Sequence, residues 1–183
     1  MPQIDTTSAL QFVINSGAGA TDIEAKSAVI QAALAEAGRT GELLVCLPSE
    51  LAKVAAQAAA KAVALNTAVV AVGGDGSLNT VAQAVYAAGG VIGVVPYGTF
   101  NYFARTHGVP TEPALAVRAL LAARPTPVQV SAVNGRIFLV NASLGLYPEL
   151  LEDREAYKRR FGRSRWVALA PAHRFRCCAW TMS

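Results

Sequence analysis

Residues 68–77 read Ala-Val-Val-Ala-Val-Gly-Gly-Asp-Gly-Ser, and this stretch decides the fold. A parallel strand buried on both faces has a continuous apolar sequence, and ligands of open α/β sheets bind beyond the carboxyl ends of such strands. The sequence therefore predicts a strand over 68–72, then a ligand-binding loop. A helix follows from Ser77 and Leu78 to about Ala88.

The loop after this strand has the composition of a phosphate site. Gly73, Gly74 and Gly76 carry no Cβ and can take positive φ, so their N–H groups can turn toward phosphate oxygens. Ser77 enters a helix whose N-terminal dipole favours an anion. Asp75 repels phosphates unless a cation lies between, so it suits direct or water-mediated Mg²⁺ binding, or a hydrogen bond to a ligand hydroxyl. The alternative is a tight strand-to-helix turn in which Asp75 is a capping residue.

Three more strand-loop-helix units surround this one. Thr21-Asp22-Ile23-Glu24 has the spacing of a capping box and opens a helix that Gly38 ends. Ser49 is the expected N-cap of the next helix, whose buried stripe runs from Leu51 to Leu65 through 54, 58 and 62. Four such units predict an α/β fold with a doubly wound parallel sheet. Its expected strands are 10–14, 42–47, 68–72 and 91–95.

The pattern changes after a helix predicted over 113–123. Pro125 and Pro127 interrupt the chain, and strands at 128–133 and 136–143 flank Asn134-Gly135, a strong hairpin signal. We therefore expect a nucleotide-binding domain over 1–125. Residues 126–183 are expected to be the incomplete start of a β-rich second domain with a basic helical tail over 147–176. Because residues 174–183 show no periodicity, we expect truncation, as by a frameshift.

The charge is distributed unevenly. Residues 1–157 hold nine Lys and Arg against twelve Asp and Glu, whereas 158–183 hold seven Lys and Arg and no acid. This argues against a nucleic-acid partner, although the basic cluster at 158–165 suits an anionic membrane surface or a solvated helix face. The apolar runs are too short for a membrane helix, the N-terminus is not that of a signal peptide, and the cysteines lack disulfide or zinc spacing. We expect a cytoplasmic protein, with peripheral contact at the inner membrane face.

The loops at 15–19, 73–79 and 96–104 together resemble the diacylglycerol kinase catalytic domain family, which includes bacterial lipid kinases and sphingosine and ceramide kinases. NAD kinases and phosphofructokinases share a turn like Gly-Gly-Asp-Gly-Ser. The loop at 96–104, which we call the second loop, separates the diacylglycerol kinase family from these two. Residues 93–105, Gly-Val-Val-Pro-Tyr-Gly-Thr-Phe-Asn-Tyr-Phe-Ala-Arg, are similar to that family's Pro-x-Gly-Thr-x-Asn-x-Phe-Ala signature. Residues 134–136 with 141–145 are similar to the hairpin that opens its second domain.

The resemblance implies a two-domain kinase in which ATP and a lipid meet in a cleft. By position, Asn15 and Ser16 would lie near the nucleotide, and Gly98, Thr99 and Asn101 would close the far side. Thr99 offers a hydroxyl and a helix N-terminus to a phosphate, and Asn101 can donate and accept; the alternatives are an ordinary N-cap and a turn residue. The residues implied to hold the phosphates are Gly73, Gly74, Asp75, Gly76, Ser77 and Asn79.

Two positions depart from the family pattern, since Thr80 stands where the family often has Glu and Tyr102 where it often has Asp. Bacterial relatives place an acidic general base far into the second domain, beyond Ser183.

The leading hypothesis is an ATP- and Mg²⁺-dependent lipid kinase that phosphorylates a diacylglycerol or sphingoid hydroxyl, with Asp75 acting through Mg²⁺ and a homodimer as the expected assembly. Asp75→Asn is then expected to remove Mg²⁺-dependent ATP binding and leave the fold intact. A catalytically inactive nucleotide-binding fragment is the alternative, and an NAD kinase is the third hypothesis.

Overall fold

The computed structural model describes residues 4–17 and 22–142. The chain divides into two compact units, Met1–Val140 and Asn141–Ser183, and the first holds every helix and strand of the described residues. The helix predicted over 147–176, the basic cluster, the C-terminal tail and the family-like residues 143–145 lie outside the described residues.

The described chain alternates strands and helices as the sequence predicts. The strands of the parallel sheet are β1 (Leu10–Asn15), β2 (Gly41–Cys46), β3 (Ala68–Gly73) and β4 (Val91–Pro96). The helices are α1 (Ile23–Glu36), α2 (Leu51–Ala64), α3 (Asp75–Ala88), α4 (Tyr102–Thr106) and α5 (Pro113–Ala122). A hairpin of β5 (Ser131–Val133) and β6 (Arg136–Phe138) follows. The α/β prediction is confirmed.

In the described part of the chain, the sheet has four strands in the order β2-β1-β3-β4, all parallel. The central strands are the most apolar. All six residues of β3 are buried, as are the first five of β1. Backbone groups of these strands are satisfied by neighbours on both sides, so a continuous apolar sequence costs no unpaired hydrogen bonds. This explains why 68–77 decides the fold.

Helices cover both faces of the sheet. Alternate residues of β3 point to opposite faces: Val70 and Val72 join the core under α1 and α5, whereas Val69 and Ala71 join the core under α2 and α3. Helices α1 and α5 contact each other, as do α2 and α3. The sheet is therefore doubly wound, as predicted. No helix among the described residues is both long and apolar enough to cross a bilayer.

Three local predictions differ from the structure. Helix α1 has Asp22 as its N-cap, with its carboxylate accepting from the N–H of Ile23. Helix α2 begins after Glu50 rather than after a Ser49 cap. Leu65 occupies the C-cap position and is 40% exposed, so the buried stripe of α2 ends at Ala62 rather than at Leu65.

The hairpin prediction is confirmed at its turn. Asn134 and Gly135 have φ of 49° and 75°, the positive values that a two-residue type I′ turn requires. The strands are shorter than expected, since β5 and β6 pair only from Ser131↔Phe138 to Val133↔Arg136. All of β5 is exposed, which leaves β6 as the strand that contacts the rest of the unit.

Candidate active site

The strand order creates a crevice at the carboxyl edge of the sheet. The chain leaves β1 toward β2 on one side, whereas it leaves β3 toward β4 on the other. Connections that diverge in this way from adjacent parallel strands open the crevice where α/β folds bind ligands. The loops after β1 and β3 meet there, because the side-chain Nδ2 of Asn15 donates to Ser77 Oγ at 2.8 Å. The structure thus brings together the first two predicted site segments.

One side-chain and one backbone hydrogen bond hold the loop after β1. Asn15 Oδ1 accepts from the N–H of Gly17 at 3.0 Å, which closes a tight Asx turn. Ser16 donates its N–H to Cys46 O at 2.9 Å and so continues the pairing with β2. Both predicted residues lie at the crevice. Residues 18–21 lie outside the described residues.

The glycine loop is shorter than predicted, because α3 begins at Asp75 instead of Ser77 or Leu78. Gly73 ends β3, Gly74 is the N-cap with φ −88° and ψ −179°, and Asp75, Gly76 and Ser77 form the first helical turn. The expectation that these glycines use positive φ is wrong, since none of the three lies in that region. The first-turn N–H groups have no acceptor within the helix, and an α-helix N-terminus with such free donors favours an anion.

The second predicted loop packs directly on the first. The N–H of Tyr97 donates to Gly73 O at 2.9 Å, which extends the β3–β4 pairing into the loop. Beyond it, Gly98 and Gly74 touch through their backbones. A Cβ on Gly98 would lie 2.5 Å from Gly74 Cα, and a Cβ on Gly74 would lie 3.0 Å from Gly98 Cα. The missing Cβ atoms are therefore required for the approach of the two loops.

Asn101 closes the second loop on itself. Its Oδ1 accepts from the N–H of Gly98 and its Nδ2 donates to Gly98 O, both at 2.9 Å, and its φ is +51°. The turn-residue interpretation of Asn101 is therefore the one that the structure shows. Thr99 is exposed at the tip of this loop. Its expected helix N-terminus is wrong, because α4 begins only at Tyr102 with Asn101 as the N-cap.

Asp75 holds the start of α4. Its carboxylate accepts from the N–H of Tyr102 at 3.1 Å and from the N–H of Phe103 at 3.2 Å. Asp75 is therefore a capping residue, as the alternative interpretation predicted. The helix that it caps is α4, however, and not α3, in which it lies. A carboxylate oxygen accepts more than one hydrogen bond, so both oxygens of the half-buried group can still contact water or a cation.

Asn79, expected to hold phosphate, has its side chain on the hairpin. Its Nδ2 donates to Ile137 O at 3.2 Å, and its Oδ1 accepts from the N–H of Leu139 at 3.1 Å. One helical turn away, Gln83 Oε1 accepts from the N–H of Ile137 at 2.9 Å. Gln83 carries no motif, and nothing in its local sequence marks it. These contacts separate Asn79 from the other predicted phosphate residues.

Lys26 is a residue that sequence reasoning missed. It lies in the first turns of α1, is 1% exposed, and its Nζ lies 5.3 Å from the centroid of the Tyr97 ring. Burial lowers the pKa of the Lys26 ammonium, while the nearby charge of Asp22 acts in the opposite direction. Burial also raises the pKa of Tyr97. The sequence did contain a sign of this burial, because Lys26 stands at helical spacing between Ile23 and Ile30 on the apolar face of α1.

Few protein side chains at this site could coordinate a metal ion. Among residues 4–17 and 22–142, no group of three or more His, Cys, Asp or Glu side chains could hold a metal ion. Asp75 is the carboxylate at the glycine loop, and its oxygens are suitable hard ligands for Mg²⁺. The donor set fits an ion held mainly by phosphate oxygens and water.

An exposed aromatic pair lies beside the second loop. Phe100 and Tyr102 are 59% and 53% exposed, and their rings stack with centroids 5.4 Å apart and planes 6° from parallel. The two side chains flank Asn101, so this apolar platform is close to the loop that contacts Gly74.

Comparisons with known proteins agree with this geometry. The family described as "Diacylglycerol kinase catalytic domain" matches residues 9–133, which include every predicted site residue. A Pseudomonas aeruginosa (strain UCBPP-PA14) protein named "Probable lipid kinase YegS-like" is 46% identical over 78 residues, which cover 42% of this chain and 26% of that protein. The Bacillus subtilis (strain 168) protein named "Diacylglycerol kinase" is 36% identical over 88 residues, or 46% of this chain and 29% of that protein.

A solved structure shows the same fold. The crystal structure titled as a diacylglycerol kinase from Bacillus anthracis str. Sterne superimposes with a TM-score of 0.63 at 25% identity, covering 72% of this chain and 49% of that one. The match thus spans less than a third of the two curated relatives and about half of the solved chain. With its doubly wound sheet, its glycine loop and its second loop in contact, the chain belongs to the diacylglycerol kinase catalytic domain family.

Proposed function

We propose that this chain binds ATP and serves a lipid kinase that transfers the γ-phosphate to a diacylglycerol or sphingoid hydroxyl. The observation that carries the proposal is the contact between Gly74 and Gly98. It holds the open first turn of α3 against the second loop at the crevice between β1 and β3. Two loops in backbone contact form one rigid, Cβ-free surface that phosphates can approach closely.

Each group has a distinct task in this proposal. The N–H groups of Asp75, Gly76 and Ser77 bind phosphate oxygens, and the α3 dipole favours their charge. The Ser77 hydroxyl accepts from Asn15, so its own hydrogen is available to donate to a phosphate. Thr99 offers a second exposed hydroxyl from the facing loop. Transfer then requires the lipid oxygen to bond to the γ-phosphorus as the bond to the β–γ bridging oxygen breaks.

Mg²⁺ belongs to the same proposal. Bound to the triphosphate, it supplies neutralisation of the charge that develops during transfer. In this proposal Asp75 would contact the hydration shell of the ion while it caps α4. The proton of the attacking hydroxyl requires a base, which the family resemblance implies to be an acidic residue far into the second domain.

An apolar substrate is supported by the Phe100–Tyr102 platform. Aromatic side chains with one polar end favour the boundary between lipid and water. We propose that this platform contacts the lipid, with peripheral binding to an anionic membrane and a cytoplasmic location. A homodimer stays a prediction.

The test is calorimetric titration of the full chain with ATP, with and without Mg²⁺, beside the variants Gly76→Glu and Gly76→Gln. A Cβ on Gly76 meets nothing within 4 Å, and Glu and Gln have nearly the same size, so any steric effect is common to the two variants. A carboxylate in the first turn of α3 repels phosphate, so Gly76→Glu should lower ATP affinity about tenfold more than Gly76→Gln. Equal affinities for the two variants would contradict phosphate binding at this turn.

Release of ADP with lipid micelles distinguishes the remaining functions. The lipid kinase proposal expects ADP release that depends on diacylglycerol or a sphingoid base. Binding of ATP without ADP release, under conditions where a full-length relative turns over, would establish the alternative of a catalytically inactive nucleotide-binding fragment. Phosphorylation of NAD would instead establish the NAD kinase alternative.

A further inference from the structure

Two amide side chains of α3 bind the backbone of β6. Asn79 uses both ends of its amide, one on Ile137 O and the other on the N–H of Leu139. Gln83 accepts from the N–H of Ile137. Asn79 therefore pairs with β6 as the edge of a neighbouring strand would, because it engages alternate residues with one acceptor and one donor. We call Asn79 and Gln83 the amide clamp.

Apolar burial accompanies these hydrogen bonds. Ile137 is 3% exposed, although all three residues of the pairing strand β5 are exposed. Leu139 packs against the core cluster that contains Leu78 and Val81 of α3. The bonds of the amide clamp are partly shielded from water, where a lost partner costs more than on an open surface.

We infer that Asn79 and Gln83 are positioning residues, which fix β6 relative to the phosphate-binding first turn of α3. Asp75 lies one helical turn before Asn79, so a single rigid helix carries the phosphate turn at one end and the amide clamp next to it. The hairpin lies within 126–183, the segment predicted to begin the second domain. The inference rests on the proposed function for its catalytic consequence, but the docking of β6 stands on its own contacts.

Amide hydrogen exchange tests the docking directly. In Asn79→Ala, exchange at the Leu139 N–H should accelerate about tenfold, because that donor loses its acceptor. Gln83→Ala should have the same effect at the Ile137 N–H. Thr80→Ala is the matched control, since the Thr80 hydroxyl donates to Gly76 O within α3 and should leave both amides unchanged. Unchanged exchange in both clamp variants would overturn the inference.

Asn79→Asp adds a pH profile that loss of packing would not produce. A protonated carboxyl has one donor and one acceptor in the shape of the amide, whereas the carboxylate has no donor and faces Ile137 O. The clamp therefore raises the pKa of the introduced carboxyl in the folded state. Because the carboxylate repels Ile137 O, the docking of β6 should be present below that pKa and weaken as the pH rises through it, with falling protection factors at the Ile137 and Leu139 N–H groups, while the native protein shows no such step. A flat profile matching the native one would contradict the donor role of Asn79.

Kinetics separate positioning from phosphate binding. A positioning role predicts that Asn79→Ala lowers kcat for lipid phosphorylation and leaves the Kd of ATP within about twofold. A Kd about tenfold weaker with unchanged exchange would make Asn79 a phosphate ligand and overturn the inference. Should the native chain release no ADP, the proposed kinase function fails, and the exchange data alone confirm or overturn the docking role.

Discussion

Gly98→Ala should lower the stability of the fold more than a Gly→Ala substitution at the other glycines of these two loops. Its Cβ would lie 2.5 Å from Gly74 Cα and 2.7 Å from Asn101 Oδ1. The first neighbour is backbone and cannot rotate away, so the second loop must withdraw from α3. We expect the free energy of unfolding to fall by about 3 kcal/mol, at the upper end for an overpacked site. ATP binding should be lost with it.

Two other glycines in the same loops provide graded controls. Gly74→Ala brings its Cβ only to 3.0 Å from Gly98 Cα, so the loss should be smaller. Gly76→Ala meets nothing within 4 Å and lies inside α3, where Ala is favoured over Gly by about 0.5–1 kcal/mol. Urea denaturation of the three variants measures the series. Equal losses for Gly98→Ala and Gly76→Ala would contradict the close approach of the loops.

Asp75→Asn should damage both the fold and nucleotide binding. The variant keeps one acceptor but presents an NH₂ group to a backbone donor at the start of α4, so unfolding should become easier by about 1–2 kcal/mol. The sequence alone predicted an intact fold for this variant, and the two hydrogen bonds of Asp75 add an expected loss of stability to that prediction. Under the proposed function, the Mg²⁺-dependent part of ATP affinity should also disappear, because the variant lacks the charge proposed to contact the cation. Denaturation and calorimetry with and without Mg²⁺ measure the two effects separately.

Glu112→Gln is the matched control for a capping carboxylate. Glu112 caps α5 by accepting from the N–H groups of Ala114 at 3.0 Å and Leu115 at 2.8 Å, which is the same kind of contact that Asp75 makes with α4. We expect a similar or smaller loss of stability and unchanged ATP affinity. If both variants lose stability and neither loses Mg²⁺-dependent affinity, Asp75 is a capping residue alone.

Much of the fold followed from burial patterns within short segments. The apolar run before Gly73 predicted a central parallel strand, and Asn134-Gly135 predicted a two-residue turn, because both depend on local backbone and hydrophobic preferences. The predictions that were wrong concern the first and last residues of helices and strands. Helix α3 starts at Asp75 because Gly74 accepts the first helical bond from the N–H of Leu78, a choice that the neighbouring glycines left open.

The site was predicted in part. The sequence placed Asn15 and the glycine loop at one edge, and the structure joins them through Ser77. It could not show that Asp75 caps α4, that Asn79 binds β6, or that Lys26 lies under Tyr97. Each of these side chains has a common local role, as a turn, cap or helix-surface residue. Its actual partner comes from an element far along the chain.

The sequence by itself determined the alternation of strands and helices, the family, and which loops follow the strands at the carboxyl edge of the sheet. The alternation and the loops follow from periodicity and from residue types within each strand-loop-helix unit, whereas the family rests on the resemblance of the loops at 15–19, 73–79 and 96–104 to its signatures. Only the tertiary structure decided what each polar group of the glycine loop does. Asp75 reaches partners 27 and 28 residues away, Asn79 reaches 58 and 60, and Asn15 reaches 62. Sheet order, which depends on the packing of all the elements at once, sets those partners.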